Sequence, residues 1–377
     1  MNLDFSDDQK ALGDQARRLL VERCTSAVVR RVMSEGLPYD RALWQTLGEL
    51  GYLGAAIPEA YGGTGLGYLE LCVIAAELGR VLAPVPLASS IYLAAEFLLR
   101  YGSETQKAHY LPRLAQGEAI GTFACAEAPG VVCAATIGAQ VTAGRLHGRK
   151  VAVTDGNAAD FAVVAARVGE AQGEVALYCV DLHDPAVSRA PLTTIDPSRD
   201  CATLSFAGAA AEPLGTRARG ESDGMDQIAR VLDRAAVLIA FEQVGGAEKT
   251  LEMARDYALQ RTAFGRAIGT FQALKHMMAD MYVAATLARS NAYYGAWALA
   301  SNAPELPMAA AAARVSATQA FLHCAKNAIQ VHGGVGFTWE FDCHLYYRRA
   351  NQLAVVLGGC SEWEDLLIER LRQTEAA

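Results

Sequence analysis

The hydrophobic and polar positions divide the chain into three textures. From the amino terminus to residue 118 the pattern is helical. Ser6 with Gln9 three residues later reads as a capping box, and Asp7 and Asp8 suit the positive end of a helix dipole. Leu12, Ala16, Leu19 and Leu20 then recur at helical spacing. Ile57–Gly63 (IPEAYGG) breaks that rhythm with a proline and paired glycines and reads as a loop. From 119 to 221 the runs become short and β-like: GTFACA, VAVT, FAVVAA, VALYCV and ATLSFAG, with Asp155-Gly156 as a turn signal. From 222 onward helical periodicity returns. Phe271, Leu274, Met278, Met281, Ala285 and Ala288 alternate steps of three and four, which keeps one helix face apolar. Met277, Ala284 and Leu287 widen that stripe and predict a helix buried on more than one side. Pro304 and Pro307 mark a break before a helix over about Met308–Val331, in which Ala309–Ala313 is a run of strong helix formers.

The order helices, strands, helices is segregated rather than alternating. It predicts an α+β fold with an amino-terminal helical domain (1–118), a middle β domain (119–221) and a carboxy-terminal helical bundle (222–377), and it argues against a doubly wound dinucleotide-binding sheet. No GxGxxG follows a strand, and the pieces GGTGLG and HGGVGF are not Walker A sequences.

Composition narrows the classes. Hydrophobic residues make up 52% of 377 residues, charged residues 20%, and mean hydropathy is +0.14, which fits a folded chain with a large core. The net charge of -8 is a poor start for nucleic-acid binding. Nine cysteines are scattered without a CxxC pair, so the pattern predicts reduced, buried thiols and no metal centre. The amino terminus lacks a signal-peptide pattern. The uncharged stretch Val81–Ala95 contains Pro84 and Pro86 and is shorter than the roughly 20 residues a membrane span needs. These features predict a cytoplasmic protein without membrane insertion.

Two carboxy-terminal segments carry candidate chemistry. The first is Arg261-Thr262-Ala263-Phe264-Gly265-Arg266, followed by Ile268-Gly269-Thr270-Phe271-Gln272; the second is Gln330-Val331-His332-Gly333-Gly334-Val335-Gly336-Phe337, followed by Tyr347-Arg348-Arg349. An arginine before a glycine-containing turn offers a forked, permanently charged donor to a pyrophosphate. Adjacent glycines let a backbone approach a cofactor closely and present N–H groups to anionic oxygens. The plainer alternatives are a surface ion pair for Arg261 and a helix cap for Gly333-Gly334.

Both segments resemble the carboxy-terminal signatures of the acyl-CoA dehydrogenase family. With IPEAYGGTGLGYLE near the amino terminus, the resemblance covers essentially the whole chain, and the helix–β–helix order is that of the family. The resemblance implies an FAD-dependent α,β-dehydrogenation of an acyl-CoA thioester, with an electron-transfer flavoprotein as acceptor. It assigns Arg261, Phe264 and Gln272 to FAD in one subunit, and Gln330, Gly333 and Gly334 to the FAD of a neighbour. A homo- or hetero-oligomer, dimer or tetramer, follows. In the β domain, Phe123, Cys125 and Ala126 of the run Phe123–Glu127 resemble the strand lining the flavin ring. Lys150–Thr154 resembles the second flavin strand, with Thr154 near flavin N5. The chain departs from the family at Ala152, where an aromatic is usual, and at Val131-Val132-Cys133, where a small polar stretch is usual.

The family's proton-abstracting glutamate occupies one of two positions. Counted from Arg348, one falls on Leu357; counted back from Arg261, the other falls on Ala235. Neither is a carboxylate. Asp233 lies close to the second. Glu242 lies seven residues past Ala235, on the same helical face, inside an apolar run that predicts burial and a raised pKa. Pairing of Glu242 with an arginine is the plainer reading, and structural roles are likewise the plainer readings of Glu362, Glu364 and His332. Three functions stay open: a dehydrogenase with a relocated base, the base-less partner subunit of a heteromeric dehydrogenase, and a flavin-free scaffold. A flavin oxidase reacting directly with oxygen also stays open.

Overall fold

The computed structural model describes residues 5–169, 173–215 and 223–376, with side chains up to residue 373. The first four residues and the 221/222 domain boundary expected from the sequence lie outside the described residues. Elements run in the expected order: helices, a β-sheet, then helices. Over its described residues the chain forms two compact units. One comprises Met1–Val29, Tyr68–Ala83 and Ala236–Ala377; the other comprises Arg30–Gly67 and Pro84–Ala235. Each unit draws on more than one stretch of the three-part sequence division, which stays a proposal about the chain. Among the described residues no helix is long and apolar enough to cross a membrane.

The first unit is helical. Asp7–Arg23 starts on the capping box: Ser6 Oγ accepts from the Gln9 amide at 3.2 Å, and Gln9 Oε1 accepts from the Ser6 amide at 2.9 Å. Helix Tyr68–Arg80 meets helix Gly224–Gln260 at glycines. A Cβ on Gly79 would stand 2.0 Å from the Glu242 carbonyl oxygen, and one on Gly245 would stand 1.9 Å from that of Ala76. Only glycine permits backbones this close. Arg80 ties the same pair of helices by ion pairs to Glu248 and Glu252.

Helix Gln272–Ser301 packs along helix Leu306–His332 through Met281, Ala285, Ala288, Ala292 and Ala296. Burial follows the narrow three–four stripe. Of the residues expected to widen the stripe, Met277 and Ala284 are half-buried and Leu287 is 60% exposed, so the widening fails at Leu287. The reason is angular: the burying partner covers one side of the helix, and Leu287, one residue before Ala288, points about 100° away from it.

The second unit holds an eight-stranded sheet among the described residues. Its strands are β1 (Gly121–Ala124), β2 (Gln140–Thr142), β3 (Arg145–Thr154), β4 (Phe161–Val168), β5 (Val175–Asp181), β6 (Val187–Pro191), β7 (Cys201–Ala210) and β8 (Glu212–Pro213). The order is β6-β7-β3-β2-β4-β5-β8, with β1 pairing parallel to β4. Every residue of β4 from Phe161 to Ala166 is buried, which explains a run too uniformly apolar to show alternation. Asp155-Gly156 does turn the chain, yet β3 and β4 are not hairpin partners; β2 lies between them. Asp155 adopts φ 55° there, and its carboxylate accepts from Ser89 Oγ at 2.6 Å.

Ser89 belongs to a π-helical stretch, Ala88–Ala95, in which all eight residues are buried. The uncharged segment Val81–Ala95 is therefore core, and its two prolines precede the helical part. Ser89 and Ser90 satisfy their hydroxyls locally, on Pro86 and Asp155 and on the Gly121 backbone.

Candidate active site and cofactor cradle

In the helical unit, Arg261 ends the long helix and opens a two-residue hairpin: Thr262–Ala263 pairs antiparallel with Arg266–Ala267. Phe264 and Gly265 form its tip with φ 53° and 78°. Two left-handed residues make the mirror-image turn that matches strand twist. Glycine adopts this freely; a phenylalanine there is strained. Phe264 is also 95% exposed, while Arg266 lies over the Phe271 ring at 4.3 Å. The Arg261 and Gln272 side chains are exposed and bond to no other described residue.

Gly333 terminates helix Leu306–His332 with φ 64°, its amide bonded to the Gln330 and Ile329 carbonyls. The helix-cap reading of this glycine therefore holds. A Cβ at Gly333 or Gly334 would meet nothing within 4 Å, and Gln330 is exposed on the same helix end. The Arg261 guanidinium and the Gln272 and Gln330 side-chain amides, without partners among the described residues, and the open Gly333-Gly334 backbone suit a phosphorylated ligand. His332 points inward instead. Its Nδ1 sits 2.7 Å from the Ala328 carbonyl, its ring stacks on Tyr257 at 4.3 Å, and burial holds its pKa below the usual value.

In the sheet unit, the end of β1 continues through Cys125, Ala126 and Glu127. Phe123 packs on Phe97 with ring centroids 4.7 Å apart. Burial raises the Cys125 thiol to about 11, so it stays neutral. Thr154 closes β3; its carbonyl accepts from Thr122 Oγ1 at 2.7 Å, while its own hydroxyl bonds to no other described residue. Between Lys150 and Val153 the β3–β7 register slips, and Ala152 takes φ 50° at that bulge. Behind these segments lies Lys150, fully buried. Its ammonium donates to the Cys125 carbonyl at 3.0 Å and to Glu127 Oε1 at 2.6 Å. Glu127 also accepts the amides of Gly138 and Ala139, both at 2.9 Å. Sequence reasoning named Lys150 and Glu127 as motif ends without giving them work. The available signal was a lysine at an inward position of β3.

The carboxylate candidates fall in different units. Asp233 is buried in the sheet unit, two residues before the equally buried Ala235. Glu242 is in the helical unit, 3.6 Å from the Arg349 guanidinium. Leu357 adopts φ 66° and Gly358 φ 98°, and the Leu357 carbonyl accepts from Trp363 Nε1 at 2.9 Å. Arg314 fixes the approach to that turn by donating from Nη2 to the Leu353 and Val356 carbonyls, both at 2.5 Å. Burial lowers the Arg314 pKa to about 10. Arg314 was not found from the sequence, and Arg349 was named only within a motif, because helical spacing does not distinguish a buried arginine from a surface one.

Two family models match the sequence: the acyl-CoA dehydrogenase N-terminal domain over residues 6–118 and the acyl-CoA dehydrogenase C-terminal domain over residues 222–371. Acyl-CoA dehydrogenase IpdE2 of Mycobacterium tuberculosis is 33% identical over 352 residues, spanning 93% of each chain. The ChsE4-ChsE5 complex from Mycobacterium tuberculosis superposes with a TM-score of 0.87 at 28% identity, covering 100% of this chain and 99% of that one. Butyryl-CoA dehydrogenase from Megasphaera elsdenii shares the fold, with a TM-score of 0.90 at 24% identity over 98% of this chain and all of that one.

Proposed function

Because the chain belongs to the acyl-CoA dehydrogenase family, a flavoprotein family of oxidoreductases, we propose that it holds FAD and acts as the base-less chain of a two-chain dehydrogenase. A related partner chain then supplies the carboxylate that removes the α-proton of the acyl-CoA. One observation carries this reading. Both positions where the family keeps its base hold alkyl side chains, Ala235 and Leu357, while the nearest carboxylate on that helical face, Glu242, is committed to Arg349. A glutamate paired with a buried guanidinium already has a structural task, since removing either partner leaves an uncompensated charge in the interior. The chain matched in the ChsE4-ChsE5 complex has a related fold and sits in a complex of two differently named chains, which supports a two-chain assembly here.

FAD, when bound, supplies the two-electron acceptor for the substrate hydride. In the helical unit, Arg261 would hold its pyrophosphate, with Phe264, Gln272, Gln330, Gly333 and Gly334 completing contacts within the assembly. In the sheet unit, Phe123, Cys125, Ala126 and Thr154 would line the flavin ring. Cys125 contributes a neutral surface, since burial keeps its thiol protonated. Thr154 offers a hydroxyl donor with no competing described partner. A cytoplasmic location and an electron-transfer flavoprotein as acceptor belong to the same reading.

The test is anaerobic titration with a panel of acyl-CoAs, watching the flavin bands near roughly 370 and 450 nm. The chain is titrated alone and after co-expression with a related partner. Flavin that bleaches only in the co-expressed complex is the expected result. Robust bleaching and turnover by the isolated chain sinks the base-less assignment, and a colourless protein sinks FAD binding.

A second reading has one observation behind it. Asp233 is a buried carboxylate two residues from the Ala235 position. If the isolated chain turns over and Asp233→Asn abolishes flavin reduction while FAD stays bound, Asp233 is the base.

A further inference from the structure

The buried cation in the sheet unit has a consequence for the segment it holds. Lys150 Nζ is fully buried and donates to the Cys125 carbonyl oxygen. That oxygen and the Ala126 N–H belong to one peptide group. The described residues contain no cis peptide, so the two point in opposite directions. The Ala126 N–H is therefore directed away from Lys150. Among the described residues it has no acceptor, although the Ala126 carbonyl accepts from the Val151 amide at 2.8 Å. A half-buried backbone donor aimed away from Lys150 is open to an acceptor from outside the chain. A positive charge hydrogen-bonded to one end of a peptide withdraws electron density from the other end. Such chains strengthen each bond by roughly 10–30% in condensed-phase work.

We propose that Lys150 is a positioning residue for the flavin: by polarising the Cys125–Ala126 peptide from behind, it makes the Ala126 N–H a stronger donor to an acceptor atom of the bound flavin ring. Glu127 is its counter-charge. Held by Lys150 and by the Gly138 and Ala139 amides, Glu127 keeps the ammonium aimed at the Cys125 oxygen and satisfies the buried charge. The same pair ties the flavin-lining end of β1 to the start of the flavin-lining part of β3. This inference rests on the proposed flavin role of that segment.

The experiment compares the wild-type chain with Lys150→Met and with Lys150→Met/Glu127→Gln. The double variant leaves no unpaired buried charge, so its fold is preserved even if the single variant is unstable; circular dichroism and thermal denaturation check this. Three quantities are read: the FAD dissociation constant, the absorption spectrum at saturating FAD, and the flavin reduction potential. Loss of the polarised donor weakens FAD binding about tenfold in both variants. It also shifts the flavin bands and moves the potential to a more negative value, because reduced flavin loses a donor to its added electron density. A double variant whose saturated flavin keeps the wild-type spectrum and potential overturns the proposal, even if its melting temperature falls. A wild-type chain that stays colourless with added FAD overturns this inference together with the flavin assignment. Wild-type flavin binding with an unaffected double variant overturns this inference alone.

Discussion

The Glu242 carboxylate lies 3.6 Å from the Arg349 guanidinium, and the two side chains are only 2% and 1% exposed. Arg349 also donates to the Leu82 carbonyl at 3.2 Å. Removing one member of such a pair leaves a charge in the interior, which costs about 3–5 kcal/mol. Glu242→Leu should therefore lower the denaturation midpoint sharply, and Glu242→Leu/Arg349→Met should recover much of the loss. Chemical denaturation of the three proteins measures this. A Glu242→Gln variant of full stability that no longer reduces its flavin would instead make Glu242 the base.

Leu357 is the position that a count from Arg348 assigns to the family's glutamate, and it adopts a left-handed conformation that costs a leucine energy. A positioned base is worth about 10²–10⁴-fold in rate. Leu357→Glu should give the isolated chain measurable flavin reduction by an acyl-CoA, at least about 10²-fold above the wild-type chain. Stopped-flow absorbance under anaerobic conditions reads it. Unchanged rates in a variant that still binds FAD would mean that this turn does not face the substrate α-carbon.

Arg261 is exposed and unpaired among the described residues, so its removal touches little in the folded chain. Arg261→Ala should change stability by less than about 0.5 kcal/mol. It should weaken FAD binding by about 2 kcal/mol, roughly thirtyfold, as expected for a charged donor to pyrophosphate. Arg261→Lys keeps the charge but loses the fork and should recover only part. Equilibrium dialysis against FAD separates the three. Unaltered affinity in Arg261→Ala would remove Arg261 from the cradle.

His332 gives the chain a pH dependence. Burial lowers its pKa below 6.5, opposed by the Ala328 carbonyl. The folded state therefore binds this proton less readily than the unfolded state. The stability His332 contributes is complete above 6.5 and is lost as pH falls through the folded value. Between about pH 8 and about pH 5, wild-type stability should fall relative to His332→Phe, which keeps the stack on Tyr257 without the titration. Parallel thermal melts across that range give the comparison, and identical slopes would contradict it.

Much of the fold was visible in the chain because its signals are local. The Ser6–Gln9 cap, the three–four stripe through Met281 and Ala288, and the apolar run of β4 each state their element directly. The left-handed hairpin tip at Phe264-Gly265 was half visible, through the glycine alone. The π-helical turn at Ala88–Ala95 was not, since an uncharged run carries no period that separates it from an ordinary helix. The site residues behaved in the same way. Arg261 and Gly333 announce themselves by motif. Lys150 and Arg349 gain meaning from burial, and burial depends on residues far away in sequence: Lys150 on Glu127, Arg349 on Leu82 and Glu242.

The glycines at 79 and 245 act as a mechanical lock. With the Glu242 and Ala76 carbonyls filling the space where side chains would begin, neither helix can slide by a turn or rotate without collision. The backbone under Glu242 is thus clamped from the neighbouring helix while Arg349 holds its carboxylate. A carboxylate anchored at both ends is not within thermal reach of a new post. A new base on this chain would come from a substitution, such as one at Leu357, and not from a rearrangement of this pair.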